Sequence, residues 1–192
     1  TSYTKAAARL RDGTVLAVAR VRSPLGGTQA SGLINAEQWW ACVRDVLHAL
    51  QVSCAQAMDV QAICVAAISP TLTVFDADSP EKALSLPYFE TPPAATEPLT
   101  PLAMATYRLS TLRRAAQSRG FSHACITDLV GYLNWRLTGV LSVNVVAEAM
   151  MEIAGGAQQL VATSDGLAPK TFPPDAIIAT VTPATAASLG LS

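Results

Sequence analysis

Three strings in this chain put polar side chains at the ends of apolar runs. Thr1-Ser2-Tyr3-Thr4-Lys5 heads the first run, with three aliphatic hydroxyls, a phenol and an ammonium in five residues. On its own that string reads as an edge strand with solvated hydroxyls. Ser69-Pro70-Thr71 follows a second run, and polar atoms at a strand end suit the recognition of hydroxyl groups in a cleft. Glu90 closes a third, Tyr88-Phe89-Glu90-Thr91-Pro92, where its carboxylate could accept hydrogen bonds from hydroxyls. The remaining polar candidates have plainer roles. Asp128 is placed to cap a helix, Asp76 to close a strand turn, and His48 and His123 have no acidic or nucleophilic partner at a recognisable spacing.

Composition narrows the classes. Apolar residues make up 51% of the 192 and charged ones 14%, against a usual charged share of about 25%, which favours a buried partner surface. The formal charge is -1, with 13 basic and 14 acidic residues scattered along the chain. That gives no electrostatic footprint for nucleic acid or for an anionic membrane. Ala62 to Ile68 is the longest purely apolar run, far below the roughly 18 residues a membrane span needs. The reading is a soluble, cytoplasmic protein without a leader. Cys42, Cys54, Cys64 and Cys125 form no Cys-x-x-Cys pair, so neither disulfides nor structural zinc are expected.

The elements that would position these strings can be read from periodicity. Thr4 to Leu10 and Thr14 to Val21 flank Asp12-Gly13, a dipeptide suited to a tight hairpin turn. After a Gly/Ser/Pro loop over Arg22 to Gly32, Asn35 can cap a helix running to about Leu50, with Trp39, Val43, Val46, Leu47 and Leu50 on one face. Trp39 and Trp40 read as core anchors. Val60 to Ile68 and Leu72 to Phe75 read as central strands, Glu81 to Phe89 as a further extended piece. Helices are expected over about Pro101 to Ser118, Thr127 to Leu137 and Val143 to Ile153, and a last one near Ala184 to Leu189. Gly139 suits the left-handed residue that ends the helix before it. The whole predicts an α/β domain with a mixed sheet flanked by helices.

Taken in order, these landmarks resemble the amino-terminal domain of the FGGY carbohydrate kinases, members of the actin and hexokinase-like ATPase superfamily with a ribonuclease H-like fold. The resemblance is carried by the Thr1 to Lys5 hairpin, Trp39-Trp40, Ile68-Ser69-Pro70-Thr71-Leu72, Val74-Phe75-Asp76, and Asp128-Leu129-Val130-Gly131-Tyr132-Leu133 leading to Arg136-Leu137-Thr138-Gly139. Ser142-Val143-Asn144, Gly166-Leu167 and Ala187 to Leu191 extend it over nearly the whole chain. It implies that Thr1, Ser2, Thr4 and Lys5 bind nucleotide phosphates, and that Ser69, Pro70, Thr71 and Glu90 contact a sugar or polyol. It implies ATP and magnesium as cofactors of the complete enzyme. In the family an aspartate and a glycine precede the hydroxyl string. The general-base aspartate lies beyond the Gly-Leu stretch near Ser192, and a second domain grips the nucleotide.

On that basis residues 1–192 are expected to be an incomplete domain that starts inside the phosphate-loop motif, inactive alone, with the carboxy-terminal domain of the same protein as partner. An apolar face left open would favour a homodimer. Family members usually carry a tryptophan-x-aspartate-x-arginine arrangement where this chain has Tyr88 to Pro92, and here no arginine follows Glu90. The alternative is therefore a non-catalytic sugar- or nucleotide-binding protein of the same fold. An unrelated α/β domain is the third reading, favoured if the first hairpin and the Val60 to Ile68 strand do not share a sheet.

Overall fold

The computed structural model describes residues 3–25, 32–54, 59–67, 71–92, 99–143, 170–173 and 176–191. The expected hairpin forms: β1 (Tyr3–Arg9) pairs antiparallel with β2 (Val15–Arg22). Gly13 takes φ 90° in its turn, and the Asp12 carboxylate accepts from the Thr14 N–H at 2.8 Å. Alternation then sorts the side chains. Ala6, Ala8, Ala17, Ala19 and Val21 pack with Val46, Ala49 and Leu50 of α1 (Glu37–Ser53), while Lys5, Arg9, Arg20 and Arg22 are exposed. Alanines on the buried face leave no bulk to hold the helix away from the ribbon.

The central sheet has the order β3 (Ile34–Asn35), β5 (Ser79–Leu86), β4 (Leu72–Asp76), β6 (Ala124–Asp128), with every neighbouring pair antiparallel. Both faces are covered, which is why β4 is buried at all five positions. Leu72, Val74, Leu84, Leu86 and Ile126 pack against Leu109, Leu112 and Ala116 of α2 (Pro101–Ser118). On the other face Phe75, Ala83 and Cys125 meet Trp39 and Trp40 of α1 and Tyr132, Leu133 and Leu137 of α3 (Leu129–Thr138). The two tryptophans are therefore core anchors, as their spacing implied. A short parallel pair, β7 (Ser142–Val143) with β8 (Lys170–Thr171), and α4 (Pro183–Ser188) complete the described elements.

Three elements depart from expectation. Residues 59–67 form no strand: Ile63, Val65 and Ala67 pack on the core at period two, but none of their backbone groups joins a ladder among the described residues. Among the described residues the hairpin and this segment accordingly do not share a sheet, and the expected mixed strand pairing flanked by helices takes the form of two antiparallel sheets and one parallel pair. Second, Ala124 to Asp128, read partly as the start of a helix, is strand β6, because β4 offers it a full ladder and burial follows. Third, of the helix expected over Val143 to Ile153 only Val143 lies among the described residues, and it belongs to β7.

Candidate functional site

Ladder register decides which loops meet. Leu72 is paired with Leu86 on one side and with Asp128 on the other. The residues just beyond, Thr71, Pro87 and Leu129, therefore come out side by side at one end of the sheet, and the Leu129 N–H donates to the Thr71 carbonyl at 2.9 Å. Past β5 the chain turns at once, closed by the Glu90 N–H donating to the Pro87 carbonyl at 3.1 Å. The turn carries Tyr88 and Phe89, 41% and 43% exposed, with ring centroids 5.3 Å apart and edge to face. Beneath it lies Arg108 of α2, which donates to the Tyr88 carbonyl. Exposed rings here can pack on the C–H face of a polyhydroxylated molecule while the half-buried Glu90 carboxylate beside them accepts hydrogen bonds from its hydroxyls.

Asp128 completes this end of the sheet and does what the sequence assigned it. Its carboxylate accepts from the Gly131 N–H at 3.0 Å, capping α3. Beside it the Thr127 hydroxyl donates to the Ser142 carbonyl at 2.5 Å, which ties β6 to β7. Gly131 is required here: a Cβ on it would lie 2.1 Å from the Ser142 carbonyl oxygen and 2.2 Å from the Thr127 Oγ1.

The far end of β4 holds a different acid. Asp76 is fully buried and accepts from the N–H groups of Ser122 (2.8 Å), Asp78 (3.1 Å) and His123 (3.2 Å) and from the Ser122 hydroxyl (3.0 Å). Burial pulls its pKa up, but the four donors prevail and hold it below the usual carboxylate range. It closes a strand turn, as expected. A third polar cluster ties α1 to α3: Glu37 accepts from Tyr132 and Arg136, and the Arg136 guanidinium stacks on Trp40 at 4.9 Å. Burial pushes the Tyr132 phenol up and the Arg136 guanidinium down.

Of the residues singled out for binding, Thr71 and Glu90 reach the same sheet end, while Thr1, Ser2, Ser69 and Pro70 lie outside the described residues. Thr4 and Lys5 fall on opposite faces of β1. Thr4 is half-buried on the face turned toward α1, and Lys5 is exposed. No described hydrogen bond links this hairpin to Thr71 or Glu90. A cavity of about 260 Å³ lined by Asn35, Glu81, Lys82, Ala83, Arg119 and Phe121 sits nearer the start of β5 and includes none of these residues. Among the described residues no group of three or more His, Cys, Asp or Glu could hold a metal ion, and no helix is long and apolar enough to cross a membrane.

Sequence reasoning passed over Arg108. The signal was present: a lone cation on the buried stripe of α2, between Ala105 and Leu109.

This α/β architecture is that of known sugar kinases. The solved structures it resembles include xylulose kinase from Rhodospirillum rubrum, at TM-score 0.70 and 18% identity, covering 100% of this chain and 46% of that one. Gluconate kinase and ligand-bound xylulose kinase, both from Lactobacillus acidophilus, match at TM-score 0.62 and 15% identity, again over 100% of this chain and 44% of theirs. The chain thus spans a little under half the length of each. No family model and no curated protein matches the sequence. The fold agreement over the whole chain overrides the unrelated-domain reading, although residues 59–67 join the hairpin in no sheet among the described residues.

Proposed function

We propose that this chain is the sugar-binding part of an FGGY-type carbohydrate kinase, a longer protein that transfers the γ-phosphoryl group of ATP to a hydroxyl of a sugar or polyol. The observation that carries the reading is the meeting of Thr71, the Tyr88–Glu90 turn and Asp128 at one sheet end, in a chain whose fold matches xylulose and gluconate kinases from end to end. In this reading Ser69, Pro70, Thr71 and Glu90 hold the acceptor by its hydroxyls, and the two exposed rings pack against its apolar face. Thr1, Ser2, Thr4 and Lys5 serve the phosphates: Lys5 offers an exposed ammonium and Thr4 its strand backbone. ATP supplies the phosphoryl group, and magnesium, for which the described residues offer no cluster of ligands, arrives with the nucleotide. The general base and the nucleotide-gripping domain belong to the remainder of the protein, and turnover requires both.

The test is sugar-dependent ADP release by the full-length protein across pentoses, hexoses, their ketoses and polyols. A silent panel would sink the kinase reading. Saturable sugar or nucleotide binding without ADP release would establish the non-catalytic alternative in its place.

A further inference from the structure

Arg108 is the charged residue on the buried stripe of α2, whose other members are Ala105, Leu109, Leu112 and Ala116. It is 2% exposed. Folding alone does not call for a cation there, since burying a guanidinium is costly and an apolar side chain of similar volume generally packs as well or better. What the charge does is local. Its Nη2 donates to the carbonyl of Tyr88, twenty residues earlier, in a turn that the Glu90-to-Pro87 backbone bond also closes. Glu90 is near enough for its negative field to oppose the depression that burial imposes on the guanidinium. A charge-assisted bond to a carbonyl is among the stronger ones a protein makes, and a planar fork fixes direction as well as distance.

We propose that Arg108 is the positioning residue of the acceptor end: from beneath, its guanidinium holds the Pro87–Glu90 turn in one shape, so that the Glu90 carboxylate and the Tyr88 and Phe89 rings are preset for a polyhydroxylated ligand. The proposal rests on the sugar-kinase reading for the identity of that ligand, but not for the clamping of the turn.

Two variants separate positioning from folding. Arg108→Met keeps the volume and removes the donor; Arg108→Lys keeps the charge and loses the fork. In the full-length protein, with D-xylulose and D-gluconate as probes, R108M is expected to raise the acceptor KM by about tenfold, as for the loss of one charge-assisted hydrogen bond. The KM for ATP and the thermal midpoint should stay near wild type, with R108K in between. An unchanged acceptor KM, or both KM values rising together with a collapse of the midpoint, overturns the proposal. If the wild-type protein releases no ADP, the kinase reading fails separately, and amide hydrogen exchange at Glu90 in this chain decides the clamp. Faster exchange by about tenfold in R108M, confined to the 87–90 turn, sustains it; unchanged exchange refutes it.

Discussion

Replacing Gly131 with alanine sets two rules against each other. Gly131 is the third residue of α3, and in an ordinary helix interior the change would stabilise by about 1 kcal/mol. The structure predicts the opposite sign. The new Cβ would lie 2.1 Å from the Ser142 carbonyl oxygen and 2.2 Å from Thr127 Oγ1, and ordinary contact begins at 3.4 Å, so the first turn of α3 must withdraw by 1.2 to 1.3 Å. Neither neighbour can give way cheaply, because one is backbone in β7 and the other is buried and bonded to it. Overpacking of this kind costs about 1–3 kcal/mol. Withdrawal also stretches the Thr127–Ser142 bond, worth about 1 kcal/mol, and the Asp128 cap, worth about another 1 kcal/mol. After the helix gain is subtracted, G131A should lose about 2–4 kcal/mol, a large part of the roughly 5–15 kcal/mol a domain possesses. Urea unfolding followed by far-ultraviolet circular dichroism measures it directly. A G131A midpoint equal to or above wild type would refute the close approach of α3 to β7, and with it the placement of Asp128 at this end of the sheet.

Two further perturbations test the rest of the sheet. Asp76→Asn replaces an acceptor of four donors with a group that is half donor, and should cost about 2–3 kcal/mol at pH 7. Because the folded-state pKa of Asp76 is depressed, its contribution is complete above the unfolded value near 3.9 and is lost as pH falls through the folded value. The gap between wild type and D76N should accordingly close only in acid, below about pH 4; a constant gap down to pH 2 would show that the charge does not matter. Cys125 is buried, and burial, aided by Asp76 and Asp78, pushes its thiol up to about 11. In native protein at pH 8 a disulfide reagent should label exposed Cys64 first and Cys125 last, and equal rates would contradict the packing of β6.

What was legible in the sequence was local chemistry. Helix α2 starts and stops where its signals said, with Thr100 accepting from the Ala103 N–H at 3.2 Å and proline in the first turn. Gly139, at φ 74°, ends α3 as a left-handed residue. What was not legible depends on neighbours. Ala124 to Asp128 is a strand because β4 stands beside it; five residues of that kind, the last a capping aspartate, read equally well as the approach to a helix. Residues 59–67 show the converse: the period-two pattern is present and alternate residues do pack, but a pattern cannot supply the partner a ladder needs. At the candidate site Thr71 and Glu90 were accessible through the resemblance, since each stands at the end of an apolar run. The cation of Arg108 on an apolar stripe was visible too, but its place was not, because nothing in one sequence says that the buried face of a helix will arrive under a turn twenty residues upstream.

The division of the core into clusters bears on how the proposed site would work. The acceptor end is anchored from both faces of a sheet whose central strand has no exposed position, so the residues that emerge there are placed by the ladder and leave little freedom to a ligand. The hairpin with Thr4 and Lys5 belongs to its own small cluster. What the two share is α1. Its Trp39, Trp40, Val43 and Leu47 pack into the central sheet, while Val46, Ala49 and Leu50 pack onto the hairpin, and the Cys42 thiol donates to the Arg22 carbonyl at 3.3 Å. A phosphate held by the hairpin and an acceptor held at Glu90 would thus be registered against each other through the two stripes of a single helix. That accounts for a helix with apolar residues on more than one face at a point where an ordinary surface helix would need only one.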